Sequence, residues 1–493
     1  MSELPKGWVE ISISDVADVK GGKRLPKGGS FSEVETSYPY IRVSDFDNGT
    51  INTQKLKFID RETHLAISNY VVSSDDLYIS IAGTIGLVGD IPKTLDGANL
   101  TENAAKLCNL HVLNKDFLKY FLQSPSALQQ FIDKTTSSGQ PKLALFRIKD
   151  CSLGLAPLAE QKRIVEKLDE VLGQVDTIKA RLDGIPDLLK RFRQSVLTSA
   201  VLGKLTEEWR GKRELIPNVL SSDFTTKKYG DVVDDEHYDN IPNSWGWVKF
   251  GSLVELINGD RGKNYPNKSE YVDEGIAFIN TGHIDPDGTL SSKRMNYISE
   301  DKFSSLGSGK IQRNDLVYCL RGATMGKTAI VNPFEIGAIA SSLVIVRPSE
   351  SLFFKFAYYF LVSPQAKEQI QRFDNGSAQP NLSAKSLGMY PIGLPPFEEQ
   401  KEIVRLVDQY FAFADTIEAQ VKKAQARVDI LTQSILAKAF RGELVDQDPN
   451  DEPADKLLER IAEARKEAEA LAKAAKKARS TKSPAKKRAA KSA

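Results

Sequence analysis

The chain repeats itself once, at a fixed offset of 239 residues. Trp8 pairs with Trp247, Gly49-Thr50 with Gly288-Thr289, and Asp76-Leu77 with Asp315-Leu316. Tyr120-Phe121-Leu122 and Ser124-Pro125 match Tyr359-Phe360-Leu361 and Ser363-Pro364. The match is tightest at Glu160-Gln161-Lys162 with Ile164-Val165, against Glu399-Gln400-Lys401 with Ile403-Val404. A period this long is a duplicated domain, not a solenoid repeat. Each half of the 493 residues is long enough to bury its own core. One chain with two equivalent halves can act as a dimer does, which suits a target that itself has two halves.

Charge and cysteine content narrow the classes. Cys108, Cys151 and Cys319 are odd in number and far apart, with no CxxC or Cys/His cluster, so neither a disulfide frame nor a zinc site is indicated. That usage, with no signal-peptide core at the N-terminus and no apolar run of membrane-spanning length, predicts a cytoplasmic protein. The net charge of +2 hides an asymmetry: Lys473–Ala493 holds nine basic residues and no acid, which leaves residues 1–472 at −7. A body of that sign binds nucleic acid only through local basic loops.

Within each half, a first part mixes strand-like runs with turns and a second part is helical. Tyr38–Val43, Leu77–Ile81 and Leu343–Val346 read as strands, and short helices are expected over Phe117–Phe131 and Phe353–Phe373. In the helical part Ile164, Leu168, Val171, Val175, Ile178 and Leu182 recur with heptad spacing. Ile403, Val407, Tyr410, Ala414, Ile417 and Val421 repeat it, and Leu189, Phe192, Val196 and Ala200 continue against Val428, Leu431, Ile435 and Ala439. Pro157 and Pro395-Pro396 mark the helix entries, where a missing N–H costs little. Gly184 and Pro186 are expected to break or kink the first helix, with no counterpart in the second. The fold class is therefore α/β (α+β) domains in tandem, separated by long antiparallel coiled-coil helices, as a pseudo-twofold repeat. Such helices, at about 1.5 Å per residue, span on the order of 60–70 Å, or roughly 20 base pairs of DNA.

Several motifs suggest chemistry and fall short of it. Arg321–Thr328 resembles a phosphate-binding loop, but three residues separate its glycines where four are needed, and Ala82–Leu87 has no lysine. Leu394-Pro395-Pro396-Phe397 lacks the hydrogen-bonding first residue of an amino-methyltransferase site. Glu160-Gln161-Lys162 and its repeat match the tail of a nuclease motif without an upstream acidic partner, and glutamate is ordinary at a helix start. The histidines His64, His111, His237 and His283 are scattered. No catalytic constellation emerges, and no metal site.

The basic, glycine-rich loops Lys20–Lys27 and Asn258–Asn264 are the better candidates. Lysine and arginine there can neutralise phosphates or read guanine, while Gln140 and Gln379, in polar stretches, can pair with adenine. The proposed DNA contacts are Lys23, Arg24, Lys27, Gly83, Thr84 and Gln140 in the first half. In the second they are Arg261, Lys263, Arg321, Thr324, Lys327 and Gln379. The Lys-rich tail adds non-specific DNA affinity in this reading, which truncation after Asp446 would test. Two competing readings are a coiled-coil scaffold that does not read DNA, which the acidic body favours, and a nucleotide hydrolase using Gly322–Thr328.

The chain resembles the specificity subunit of type I restriction–modification enzymes. The resemblance rests on Leu4–Trp8 and Ile241–Trp245 opening each half, and on Gly139-Gln140-Pro141 and Ala378-Gln379-Pro380. It rests also on the Pro-x-x-Glu-Gln helix openings Pro157–Gln161 and Pro396–Gln400 and the helix ends Leu197–Leu205 and Leu436–Leu444. It implies target-recognition domains at 1–155 and 238–395, helical regions at 156–205 and 396–445 and a linker at 206–237; the basic low-complexity tail at 446–493, whose Pro453–Lys477 run has good helix propensity, is not part of the family's pattern. It further implies that each domain reads half of a bipartite double-stranded DNA site, while the paired helices set the gap and dock two methylase subunits. S-adenosylmethionine, ATP and magnesium then belong to the methylase and motor-nuclease partners and none to this chain, which is not itself an enzyme and meets no membrane.

Overall fold

The computed structural model describes residues 4–110, 113–135, 141–213, 240–373 and 381–481. These form two compact units. One comprises the chain up to Leu182 together with residues from Lys423 onward, and the other comprises Asp183–Lys422.

Each unit is built on the same four-stranded antiparallel sheet. In the first, the order is Asp18–Gly21, Ala104–Cys108, Leu77–Ser80, Val88–Asp90. In the second it is Val254–Asn258, Leu343–Pro348, Leu316–Cys319, Thr328–Ile330. The unbroken apolar run Leu343–Val346 reflects burial on both faces. Leu343 and Ile345 enter one core, and Val344 and Val346 enter another, as the period of two along a strand requires. A second sheet differs between units, with three strands in the first and five in the second. A third, two-stranded pairing joins Val9–Ser12 to Ser152–Leu155 and Gly246–Lys249 to Pro391–Leu394.

Where one short helix is expected per half, the structure has two. Lys115–Gln123 is followed by Pro125–Asp133, and Phe354–Val362 by Pro364–Phe373. Ser124 and Ser363 cause the break: each hydroxyl accepts from a backbone N–H three residues on (3.4 and 3.2 Å), and a proline follows at the first helical position.

The long helices are Leu158–Val201 and Phe397–Ala439. The first continues through Gly184 and Pro186 as one helix, so the break that these residues could cause does not occur. Pro186 is exposed, so water can take the carbonyl it leaves unbonded. Within each unit the helices run antiparallel. In the first, Lys179 pairs with Asp429 (3.1 Å) and Arg163 with Asp451 (2.6 Å). In the second, Arg193 pairs with Asp415 (2.6 Å) and Thr206 donates to Glu399 (2.7 Å). Ile164, Leu168 and Val175 are buried, as are Ile403, Val407, Ala414 and Val421. Ile178 and Tyr410 depart from the seam at 47% and 39% exposure. Tyr410 lies between the buried Val407 and Ala414, and its large ring stays partly open where it meets Phe192 edge-on, at 6.1 Å.

Each core combines a domain with the start of one long helix and the end of the other. Ile164 and Leu168 lie with Leu436 and Ala439 in the first unit, and Ile403 and Val407 with Leu197 and Ala200 in the second. The end of the second long helix covers the first domain as the end of the first long helix covers the second. Gly442 packs against Pro5 as Gly203 packs against Pro242. The helix Ala454–Thr481 extends this cover: Ala454, Leu457 and Ile461 are buried in the first core and Arg465 donates to the Ser14 carbonyl (2.6 Å). Helix propensity from Pro453 to Lys477 marks this helix in the sequence, but not that residues 454–465 are part of the first unit.

The domain–helix junctions rest on duplicated polar contacts. Trp8 Nε1 donates to Glu160 (3.0 Å) and Trp245 Nε1 to Glu399 (2.9 Å). Gln161 accepts from Asn114 N and donates to the Ala156 carbonyl, and Gln400 does the same with Phe353 N and the Pro395 carbonyl. Tyr120 donates to Asp169, and Tyr359 to Asp408. Trp8 therefore corresponds to Trp245, not Trp247. From Trp8 to Gly21 the offset between repeats is 237, since Val9 faces Leu155 as Gly246 faces Leu394.

The two buried glutamates differ in their surroundings. Glu399 also accepts from Thr206 and pairs with Arg210 (2.6 Å). Glu160 Oε1 has no partner among the described residues, and burial pushes its carboxyl above the ordinary value of 4.5. Glu399→Gln should destabilise the second unit by about 3–5 kcal/mol, because Arg210 loses its counter-charge. Glu160→Gln should leave the first unit as stable or more so at neutral pH. A raised pKa means the folded state holds the proton more tightly, so this group's contribution is present below 4.5 and is lost as pH rises through the folded value. Hydrogen exchange of each unit against pH checks both. The gap between wild type and Glu160→Gln should close as pH falls, and a constant gap would contradict the assignment.

Candidate nucleic-acid interface

In the first unit the loop after strand Asp18–Gly21 is pressed onto the chain at 100–102. A Cβ on Gly22 would lie 2.1 Å from the Thr101 carbonyl oxygen and 2.4 Å from that of Leu100, so only glycine fits. Gly22 N donates to the Ala104 carbonyl (3.0 Å) and Lys23 N to the Leu100 carbonyl (2.8 Å). The Tyr40 hydroxyl donates to the Lys23 carbonyl (2.7 Å), and the Lys23 ammonium sits 5.5 Å from the Tyr70 ring centroid. This brings Arg24 beside Glu102, with Nε donating to Oε1 at 2.9 Å. The Arg24 side chain is 79% exposed. Burial raises the Glu102 carboxyl, but Arg24, its own backbone N–H and the Thr101 hydroxyl outweigh that and hold it below the ordinary range.

Lys23, Arg24, Ile81, Glu102 and Lys142 line an open cavity of about 400 Å³. Ala82 bridges to Lys142, and the turn carrying Gly83 and Thr84 follows directly. Gly83 and Gly86 take positive φ (+75° and +89°), and Ser80 Oγ donates to the Thr84 carbonyl (2.5 Å). The structure thus gathers Lys23, Arg24 and the start of the Gly83-Thr84 turn at one end of the sheet. Lys27 is exposed within a separate turn, closed by Gly29 N on the Pro26 carbonyl, and does not line the cavity. Gln140 and Gln379 lie outside the described residues.

The second unit repeats the frame with other fastenings. Gly259 takes the place of Gly22: its Cβ would lie 2.6 Å from the Ala340 carbonyl oxygen. Strand register puts Asn258 opposite Val344 as Gly21 lies opposite Ala105, so the 237 offset aligns Arg261 with Arg24. Asp260 fixes this loop by accepting from Gly262 N (2.6 Å) and Gly307 N (2.7 Å), which lowers its pKa. Arg261 and Lys263 are exposed. Arg321 bridges to Asn381, matching Ala82 with Lys142.

The turn from Arg321 to Lys327 joins two antiparallel strands. Gly326 N donates to the Cys319 carbonyl (2.9 Å), Cys319 N to that of Lys327 (2.8 Å), and no helix follows. A nucleotide site of the expected kind needs that helix N-terminus. Thr324 contacts Cys319 Sγ at 3.5 Å, and Lys327 lines a different cavity of about 830 Å³ with Arg193, Asp287 and Tyr358. Lys327 is therefore not grouped with Arg261 and Arg321.

Sequence reasoning missed Glu102, Tyr40 and Lys142. No motif marks them, because strand pairing alone brings them to the loop. It also missed that Glu160 and Glu399 are buried acceptors for tryptophan, neither nuclease acids nor simple helix-start residues. Among the described residues no cluster of His, Cys, Asp or Glu could hold a metal ion, and no helix is long and apolar enough to cross a membrane.

A sequence profile described as the type I restriction modification DNA specificity domain matches residues 5–187 and again 242–425. The chain is 33% identical over 471 residues to the type I restriction enzyme EcoBI specificity subunit of Escherichia coli, covering 93% of this chain and 92% of that one. It is 30% identical to the EcoKI specificity subunit of Escherichia coli strain K12, covering 94% and 96%. Among solved structures, the HsdS subunit from Thermoanaerobacter tengcongensis matches with TM-score 0.53 at 21% identity, covering 90% of this chain and 98% of that one. A chain from a study of assembly and conformational transition of the type I R-M system matches with TM-score 0.60 at 20% identity, covering 90% and 100%.

If the glycines set the loops, Gly22→Ala and Gly259→Ala should each speed hydrogen exchange where their own loop is pressed down, at 20–27 with 99–103 or at 258–264 with 338–342. Duplex retention should fall in both, with far-ultraviolet circular dichroism unchanged. Unaltered exchange at both loops would show that the close approach does not hold them.

Proposed function

Because this chain belongs to the family of type I restriction–modification specificity subunits, we propose that it selects the DNA on which such a complex acts, each domain reading one half of a bipartite duplex site. The observation that carries this reading is the pair of glycine-backed basic loops on a duplicated sheet frame, set against Arg24 and Arg261 in turn. A scaffold would need the helices but gives no reason for those loops, and the family match covers both domains. In this proposal the long helices set the gap between half-sites and dock two methylase subunits. Those partners hold S-adenosylmethionine and methylate adenine, and a motor-nuclease subunit uses ATP and magnesium, all in the cytoplasm. This chain contributes recognition and no reacting group.

Genome-wide mapping of N6-methyladenine, with and without the gene, tests the proposal. Deletion should erase one interrupted motif. Replacing residues 1–150 with a relative's domain should change one half of that motif, and a swap altering both halves would contradict two independent readers. Lys23→Ala or Arg261→Ala should weaken binding by about 1–3 kcal/mol with relaxed specificity at one position if the side chain reads a base. Uniform weakening with a shallower salt dependence would mark a phosphate contact instead.

The tail needs a different test from the truncation the sequence suggests, since cutting after Asp446 would remove Ala454, Leu457 and Ile461 from the first core. Ending the chain at Thr481 spares them and deletes Lys482, Lys486, Lys487, Arg488 and Lys491. The slope of log affinity against log salt should become shallower by roughly 0.9 for each phosphate that the deleted residues neutralise. An unchanged slope would remove the tail from the DNA-binding surface.

A further inference from the structure

Arg24 is the most exposed cation of the first loop to be tied to an acid, and Glu102 is an acid on a surface that has to meet polyanionic DNA. Resting on the DNA-reading function above, we propose that Arg24 and Glu102 together read one G·C base pair of the first half-site, Arg24 at guanine and Glu102 at cytosine.

Charge argues for a base and against a phosphate. A guanidinium already neutralised at 2.9 Å releases little counterion on meeting a phosphate, and the neighbouring carboxylate repels one. The edge of a base pair presents a different surface. Guanine offers O6 and N7 acceptors, cytosine offers its N4 donor, and all three line the major groove side by side. The pair carries the complementary groups. Arg24 uses Nε for Glu102, and its two terminal nitrogens have no partner among the described residues. Glu102 accepts from Arg24 at one oxygen and from the Thr101 hydroxyl at the other (3.2 Å), and each oxygen retains a lone pair.

The pair is also held in place before DNA arrives. Gly22 presses the loop onto Leu100 and Thr101, and Tyr40 holds the Lys23 carbonyl one residue before Arg24. Less side-chain freedom is then lost on binding. The second unit has Arg261 at the matching loop position but Ser341 where the repeat places Glu102, and Asp260 is occupied by backbone N–H groups. The paired reading is therefore confined to the first half-site.

The test uses the full chain assembled with its methylase subunits and a panel of duplexes, each changing one base pair of the methylated motif. Arg24→Lys keeps the charge and loses the planar fork, and Glu102→Gln keeps the shape and loses the anionic acceptor. Each should lower discrimination at the same G·C pair by about 5- to 150-fold, with every other position unchanged. The half affected should be the one that exchange of residues 1–150 alters. The inference is overturned if Arg24→Lys keeps full discrimination, if the variants affect different base pairs, or if Glu102→Gln tightens all duplexes equally. A wild-type motif with no G·C pair in its first half would remove this inference and leave DNA reading intact. A wild-type complex with no sequence preference would remove both.

Discussion

The structure depends on how each domain is fastened to the helix that leaves it. A domain that reads DNA is useful in a complex only if its orientation is fixed, and a single peptide link cannot fix it. Here a buried glutamate in the first turn of each long helix takes the indole N–H of the tryptophan that opens the domain. The glutamine beside it bonds back to the domain's own backbone, and a tyrosine–aspartate contact adds a third point two turns along. Three non-collinear points determine an orientation. Their directionality matters because apolar burial alone supplies energy without specifying angle. The same Glu-Gln pair that anchors the sequence resemblance is thus an orienting device.

The second consequence is cyclic. The end of one long helix completes the core at the start of the other, and the helix before the first domain comes from the far end of the chain. Residues 436–465 are therefore as much a part of the first unit as residues 5–21. Where Thr206 and Arg210 satisfy Glu399, the first unit supplies nothing equivalent to Glu160 Oε1 among the described residues. Duplication preserved the frame and let the fastenings drift.

Much of this was legible in the sequence, for identifiable reasons. Apolar periodicity located the long helices, because burial on one face leaves a spacing that survives divergence. Leu343–Val346 was legible as a strand because it is buried on both faces. The uninterrupted passage through Pro186 was not legible, since a local rule cannot know that the residue faces solvent. Nor was the exposure of Ile178 and Tyr410, since heptad spacing marks a face and not how far each side chain on it is covered. The sequence offered both Trp245 and Trp247 as the match for Trp8, two residues apart, and only the contact decides between them, since Trp245 alone reaches a glutamate. Lys23, Arg24 and the Gly83-Thr84 turn were nominated from loop chemistry, and the fold brings them to one end of the sheet. Glu102 was not, because its place is set by a pairing between segments far apart in the chain.

The two units keep the four-stranded frame in the same order and vary what surrounds it. The close-approach glycines Gly22 and Gly259 belong to the frame, since each is dictated by a backbone carbonyl that any sequence would present. The fastenings next to them belong to the variable part: an arginine–glutamate pair in one unit, an aspartate on two backbone N–H groups in the other. The second sheet varies too, from three strands to five. A frame that presses each loop down through a glycine and a backbone carbonyl leaves the exposed side chains on that loop free to change without unfolding the domain. That separation allows one architecture to read two different half-sites within a single chain, and a lineage to change what it reads by substituting a few side chains at a loop whose path is already fixed.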